Sequence, residues 1–181
     1  IPEGWRVGKL GDVVTVTDHV ANGSFASLKE NVTTYDSENY ALYVRLVDYN
    51  NNFSTNLKYT DKSSFDFLSK SQIEGHEIIV SNIGANAGTI FRPPYWLKKP
   101  MVLGSNSIMF YSNNFTEYVF YYLKSYNGKL MLKSIIGGSA QPKFNKTDFR
   151  NLAIIIPDIK TVIKFDSIAK TIRDKIFNNK A

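Results

Sequence analysis

Hydrophobic and polar positions along the chain predict short strands in its middle and helices towards its end. From Leu42 to Tyr49 the pattern has period two, with Leu42, Val44 and Leu46 facing one way and Tyr43, Arg45, Val47 and Tyr49 the other. A strand is expected there, ended by Asn50, Asn51 and Asn52. Further strands are predicted over Glu77 to Ile83, Thr89 to Arg92, Ser107 to Tyr111 and Leu152 to Ile156, the last buried and closed by Pro157. Gly84 and Gly88 bracket Ala85, Asn86 and Ala87 at a spacing that suits a turn needing positive φ. Pro93, Pro94 and Pro100 confine the next segment to an extended connection.

Helical spacing is clearest near the C-terminus. Asn114 and Glu117 form a capping-box pattern, opening a helix through Tyr126 with Phe115, Val119, Tyr122 and Leu123 on one face. Asn127 and Gly128 are read as its stop, and Lys129 to Ile136 as a second helix. From Ile159 the residues Val162, Phe165, Ala169, Ile172 and Ile176 recur at steps of three and four, a short heptad seam flanked by lysines. The alternative is an amphipathic helix lying on its own domain. Phe65 to Ser71 predicts a short helix, and Trp5 to Val14 an opening turn and short helix. Asp18 to Asn39 reads as a polar loop with one short strand at most.

Length and composition narrow the classes. With 181 residues, 43% of them hydrophobic, the chain can bury a core without staples, and it has no cysteine to make one. Disulfide scaffolds, thiol nucleophiles and cysteine-ligated metal sites are excluded, and no apolar run is long enough to span a membrane. The +6 charge is uneven. Residues 1–120 carry ten Lys/Arg against twelve Asp/Glu, whereas residues 121–181 carry twelve against four. A last third at +8 points to an acidic partner, with nucleic acid first among the options.

Catalytic constellations are missing. His19 and His76 stand apart without further ligands at metal spacing, and no Gly-x-Ser-x-Gly elbow or phosphate-cradling glycine motif occurs. Arg92, Pro93, Pro94, Tyr95 comes near the Asn/Asp-Pro-Pro-Tyr motif of amino-methylating DNA methyltransferases, but arginine offers no acceptor for the target amino group. What remains is binding chemistry: seventeen Asn, and aromatics interleaved with lysines over Tyr118 to Lys133. Amides and cations are the groups that meet base edges and phosphates, although Asn is also a turn former and Tyr at helical spacing a core residue.

The order of segments then carries a resemblance. Pro2, Glu3, Gly4, Trp5 with Lys9, Leu10, Gly11, Asp12, Val13 opens the chain; a strand with Arg45 and Asp48 follows. Next come the glycine-led strand and turn Ile73 to Thr89, the Ser/Asn strand Gly104 to Tyr111 and the Tyr-Leu helix Tyr118 to Ser125. Gly137, Gly138, Ser139, Ala140, Gln141, Pro142, Lys143, Phe144, Asn145, Lys146 then leads to the strand ending at Pro157. This ordered set resembles the target recognition domain of the specificity subunit of type I restriction-modification systems. Two departures stand out. The family's Pro-Gly-Asp turn is replaced by Glu74, Gly75, His76, Glu77, and its Glu-Gln pair is absent after Pro157.

The resemblance implies a mixed α/β (α+β) fold, with a strongly twisted, mostly antiparallel sheet, flanking helices and a C-terminal amphipathic helix. Residues 1–157 would form the recognition domain and 158–181 part of a dimerisation or spacer helix. It implies a non-catalytic, cytoplasmic protein without a cofactor, which reads one half of a split duplex DNA sequence. Its partners would be methyltransferase subunits, through them the restriction subunit, and a second recognition domain or a second copy. The nominated DNA-contacting residues are Arg45, Asn82, Asn86, Ser105, Asn106, Gln141, Lys143, Asn145 and Lys146. Lys124, Lys129 and Lys133 are candidates for backbone or methyltransferase contact, and Val162, Phe165, Ala169, Ile172 and Ile176 form the expected subunit interface. The rival readings are the recognition segment of a single-chain restriction-methylation enzyme and an interaction module that binds no nucleic acid.

Overall fold

A computed structural model describes residues 1–181. In chain order the elements are β1 (Arg6–Lys9), β2 (Thr15–Asp18), α1 (Phe25–Asn31), β3 (Thr34–Tyr35), β4 (Ala41–Val44), α2 (Leu46–Asn50), β5 (Lys58–Thr60) and α3 (Lys62–Phe67). They continue with β6 (Gln72–Ile73), β7 (Ile78–Ser81), β8 (Ile90–Phe91), β9 (Met101–Leu103), β10 (Ser107–Tyr111), α4 (Thr116–Lys124) and α5 (Tyr126–Ile135). The chain ends with α6 (Lys146–Arg150), β11 (Ala153–Ile156) and α7 (Ile159–Asn178).

The mixed α/β class and the mostly antiparallel pairing are as expected, with the strands divided among three sheets: β1-β11, β2-β10-β7-β8 and β3-β5-β4-β9-β6. Only β4 and β9 run parallel. The four-stranded sheet lies at the centre, covered on both faces, so β7, β8 and most of β10 are continuous apolar runs, whereas its edge strand β2 alternates. Ile78, Val80, Ile108 and Phe110 pack with Val119, Leu123 and Leu132 of the helical layer. Ile79, Met109 and Phe91 meet Leu42, Val44, Met101 and Leu103 of the five-stranded sheet. Beyond that sheet, Tyr43 and Val102 pack against Leu28 and Leu68.

Several local expectations are corrected. No helix forms over Trp5 to Val14. Arg6–Lys9 is a strand whose partner, β11, lies at the far end of the chain, with Arg6 opposite Ile156, and one 3-10 turn follows at Leu10–Asp12. β11 is itself half-buried, because Ala153 and Ile155 face outwards. The polar stretch 18–39 contains α1, started by Ser24, whose hydroxyl accepts from the Ser27 amide at 3.2 Å, and anchored by buried Leu28. The strand from Leu42 stops at Val44. There Asp48 reaches back to the Arg45 backbone N–H at 2.9 Å and opens α2, so Arg45 shares no strand face with Tyr43 and Tyr49.

The helical hairpin is also shifted. Glu117 caps nothing, since Ser112 and Thr116 bond each other at the start of α4 and Glu117 turns into the core. Asn127 and Gly128 do not end a helix but lie in the first turn of α5, which Ser125 caps through the Gly128 amide at 3.2 Å. α7 packs on α4. Arg173 of α7 and Arg92, just past β8, both donate to the Glu117 carboxylate, at 3.1 Å and 2.6–3.0 Å.

Glu77, just before β7, anchors the turn over residues 74–77. Its carboxylate accepts from the amides of Glu74, Gly75 and His76 at 2.9–3.1 Å and from the Tyr95 hydroxyl at 3.0 Å. Burial pushes its pKa up, but these donors together outweigh burial and hold it below its ordinary value of 4.5. A carboxylate with a lowered folded pKa stabilises the fold above its unfolded pKa, and that contribution is lost as pH falls through the folded value. Glu77→Gln is therefore expected to flatten the loss of stability from about pH 5 downwards. Urea melts across that range, compared with the unsubstituted protein, provide the check, and an unchanged acid limb would count against this role.

Candidate nucleic-acid interface

Three loops form one edge of the molecule. The first is the β7-β8 hairpin, where Gly84 and Gly88 both adopt the positive φ their spacing predicted, +108° and +93°, and Asn86 sits exposed at the tip. The second is the β9-β10 turn, in which Asn106 takes φ +63° and the Ser105 amide donates to the Tyr43 hydroxyl at 3.0 Å. The third, 137–145, closes on itself through reciprocal Gly137 and Lys143 backbone bonds of 2.8–2.9 Å.

Asn82 ties the three together. Its amide N–H donates to the Asn106 carbonyl at 3.1 Å, its carbonyl accepts from Phe144 at 3.1 Å, and its Nδ2 donates to the Phe144 carbonyl at 3.0 Å. Gly84 adds a bond to the Pro142 carbonyl at 2.8 Å. The result is a rigid platform built from segments over sixty residues apart in sequence.

Eight of the nine nominated residues, all but Arg45, therefore converge here. They divide by what their side chains already do. Asn82 joins the loops; Asn145 caps α6 by accepting from the Asp148 amide at 2.8 Å; Lys146 pairs with Asp18 at 2.8 Å. Arg45 lies apart, its guanidinium bound to Asp48 at 2.6–3.1 Å and to the Asn56 carbonyl at 2.8 Å. Asn86, Ser105, Asn106, Gln141 and Lys143 are exposed on the loops. Amides, a hydroxyl and a cation on a fixed edge can pair with base edges and phosphates without first breaking bonds of their own.

Sequence reasoning missed the neighbouring cleft of about 500 Å³, which runs from Asn82, Ser105 and Asn106 to α1. His19 stands in its wall, edge-on to the Tyr43 ring at 5.7 Å. Burial lowers the His19 pKa, against the opposing pull of a hydrogen bond to the Leu103 backbone and the charge of Asp18. Phe25, the first residue of α1, projects at its mouth. The Ser24 cap and Leu28 were the only signals of that helix, too short for a periodicity.

Along α7 the nominated seam splits. Val162 and Ala169 are buried against the rest of the chain, while Phe165 meets Tyr118 and Tyr121 edge-on at 6.3 and 5.9 Å. Ile172 and Ile176 remain about half exposed, and Ile168 extends the same stripe. Lys124 lies 5.2 Å above the Phe120 ring, its pKa lowered by burial and by the like charges of Lys129 and Arg92. No three His, Asp or Glu side chains are grouped to hold a metal ion, and no helix is long and apolar enough to cross a membrane.

No curated protein matches the chain. Solved structures do. A chain from work on complex assembly and conformational transition of the type I R-M system superposes with a TM-score of 0.61 at 14% identity, over 99% of this chain and 41% of that one. The HsdS subunit from Thermoanaerobacter tengcongensis gives 0.58 at 16% identity, over 99% and 40%, and the type I restriction-modification S subunit from M. genitalium 0.51 at 12%, over 98% and 41%. The chain thus spans about two fifths of the length of these neighbours and shares their fold. Residues 2–176 match the family described as Type I restriction modification DNA specificity domain, and the chain belongs to that family.

Proposed function

We propose that this chain reads one half of a split duplex DNA sequence as the specificity subunit, or half of one, of a type I restriction-modification complex, and performs no catalysis itself. Residues 1–157 form the reader and 158–181 part of the helix that spaces or pairs two readers. The observation that carries the reading is the convergence of Asn86, Ser105, Asn106, Gln141 and Lys143 on one edge held rigid through Asn82. The exposed stripe of Ile168, Ile172 and Ile176 supports pairing of α7 with a second helix, from another recognition domain or a second copy. Docking of methyltransferase subunits, and through them the restriction subunit, is part of the same reading, supported by membership of the family and the lysines of α4 and α5.

Phosphate contacts make binding fall with salt, and each lost contact reduces the slope of log affinity against log salt by about 0.9. Lys143→Glu is therefore expected to weaken DNA binding across sequences and to lower that slope by about one. Anisotropy titrations of the assembled complex over a salt series measure both. Affinity that does not respond to salt, in either protein, would contradict the proposal.

A further inference from the structure

The cleft beside the reading loops, at about 500 Å³, has room for a single base. A single base that has left the stack can enter. Such a base needs apolar walls for its faces and hydrogen-bonding groups at one edge. The cleft lining holds both kinds of group, Leu28, Val32 and the Tyr43 ring as its apolar members and Asn82, Ser105 and Asn106 as its polar ones. Asn82 has committed Nδ2 to the Phe144 carbonyl, which leaves Oδ1 as an acceptor. Asp18, the sole carboxylate on the lining, is neutralised by Lys146 at 2.8 Å, so the cleft does not repel a nucleotide.

Phe25 supplies a second, independent observation. Its side chain is 84% exposed, although it begins a helix fixed by the Ser24 cap and by buried Leu28, so it has no core position to return to. Lys29, one turn further along α1, also lines the cleft. A large apolar ring held out in water next to a DNA-facing edge matches the wedges with which proteins part base steps.

We propose that this domain draws one base out of its half-site: Phe25 enters the stack as a wedge, and the displaced nucleobase lodges between α1 and the Asn82 and Asn106 amides. This inference rests on the DNA-reading function proposed above.

The test uses the complete specificity subunit with its methyltransferase subunits, on labelled duplexes carrying 2-aminopurine at each purine position of the half-site in turn. Anisotropy reports binding, and 2-aminopurine emission reports unstacking in the same sample. Emission is expected to rise at one position of the half-site. Phe25→Ala should abolish that rise and weaken binding about five- to 150-fold, the loss of one stacking contact, whereas Phe25→Trp should retain both. Quenched emission at every position, or a rise that Phe25→Ala leaves unchanged, on a duplex that anisotropy shows to be bound, overturns the inference and leaves DNA reading intact. No anisotropy change with any duplex overturns DNA reading itself.

Discussion

Glu117→Ala is expected to destabilise the protein by about 3–5 kcal/mol, because it strands two buried guanidinium groups at once. The Glu117 side chain is fully buried, and those of Arg92 and Arg173 are only 14% and 13% exposed. Arg92 donates through two nitrogens, at 2.6 and 3.0 Å, and its guanidinium also lies 4.0 Å above the Phe120 ring. With the carboxylate gone, Arg92 keeps the ring but has no counter-charge, and Arg173 keeps only the more exposed Asp174. For a chain of this size a kilocalorie corresponds to about 2–4 °C, so the melting temperature should fall by at least about 6 °C. Thermal and urea melts decide it, and a loss below about 1 kcal/mol, the range of a surface pair, would refute this account of the cluster. Glu117 joins α4, the end of β8 and α7 at one point, so the same variant should loosen α7 from the rest of the domain.

Gly128→Ala should cost about 3 kcal/mol or more, although helix propensity alone favours Ala by about 1 kcal/mol. The two effects have opposite signs, so the direction of the change identifies the winner. A Cβ at Gly128 would lie 2.0 Å from the Tyr122 carbonyl oxygen and 2.6 Å from the Leu123 Cα. Both are backbone atoms of α4 and cannot rotate aside, so α5 must move away and give up the packing of Leu132 in the central core. Equal or raised stability of the alanine variant would show that the two helices are not pressed together at this point.

These two positions illustrate what a sequence can and cannot reveal. Glu117 fits a capping box and Gly128 a helix stop as long as only local spacing is considered. Both have roles decided by partners elsewhere: Arg92 and Arg173 for the first, the α4 backbone for the second. β7, β10 and the α4 face were legible because every residue of those strands is apolar or small and α4 repeats at helical steps. β1 was not, because its four residues acquire a strand only by pairing with β11 across the length of the chain. The candidate edge follows the same division. Its glycine turn and polar loop could be named from residue types, whereas the hub role of Asn82, the engagement of Arg45 by Asp48 and the exposure of Phe25 arise from tertiary placement.

The proposal that residues 1–157 read half of a DNA sequence can be decided by a comparison of methylomes. Cells carrying the full gene are set beside cells in which only this segment has been exchanged for a recognition domain of different sequence. One half of a split methylated motif is expected to change while the other half and the methylation itself persist. An unchanged motif, with both proteins expressed, would contradict it.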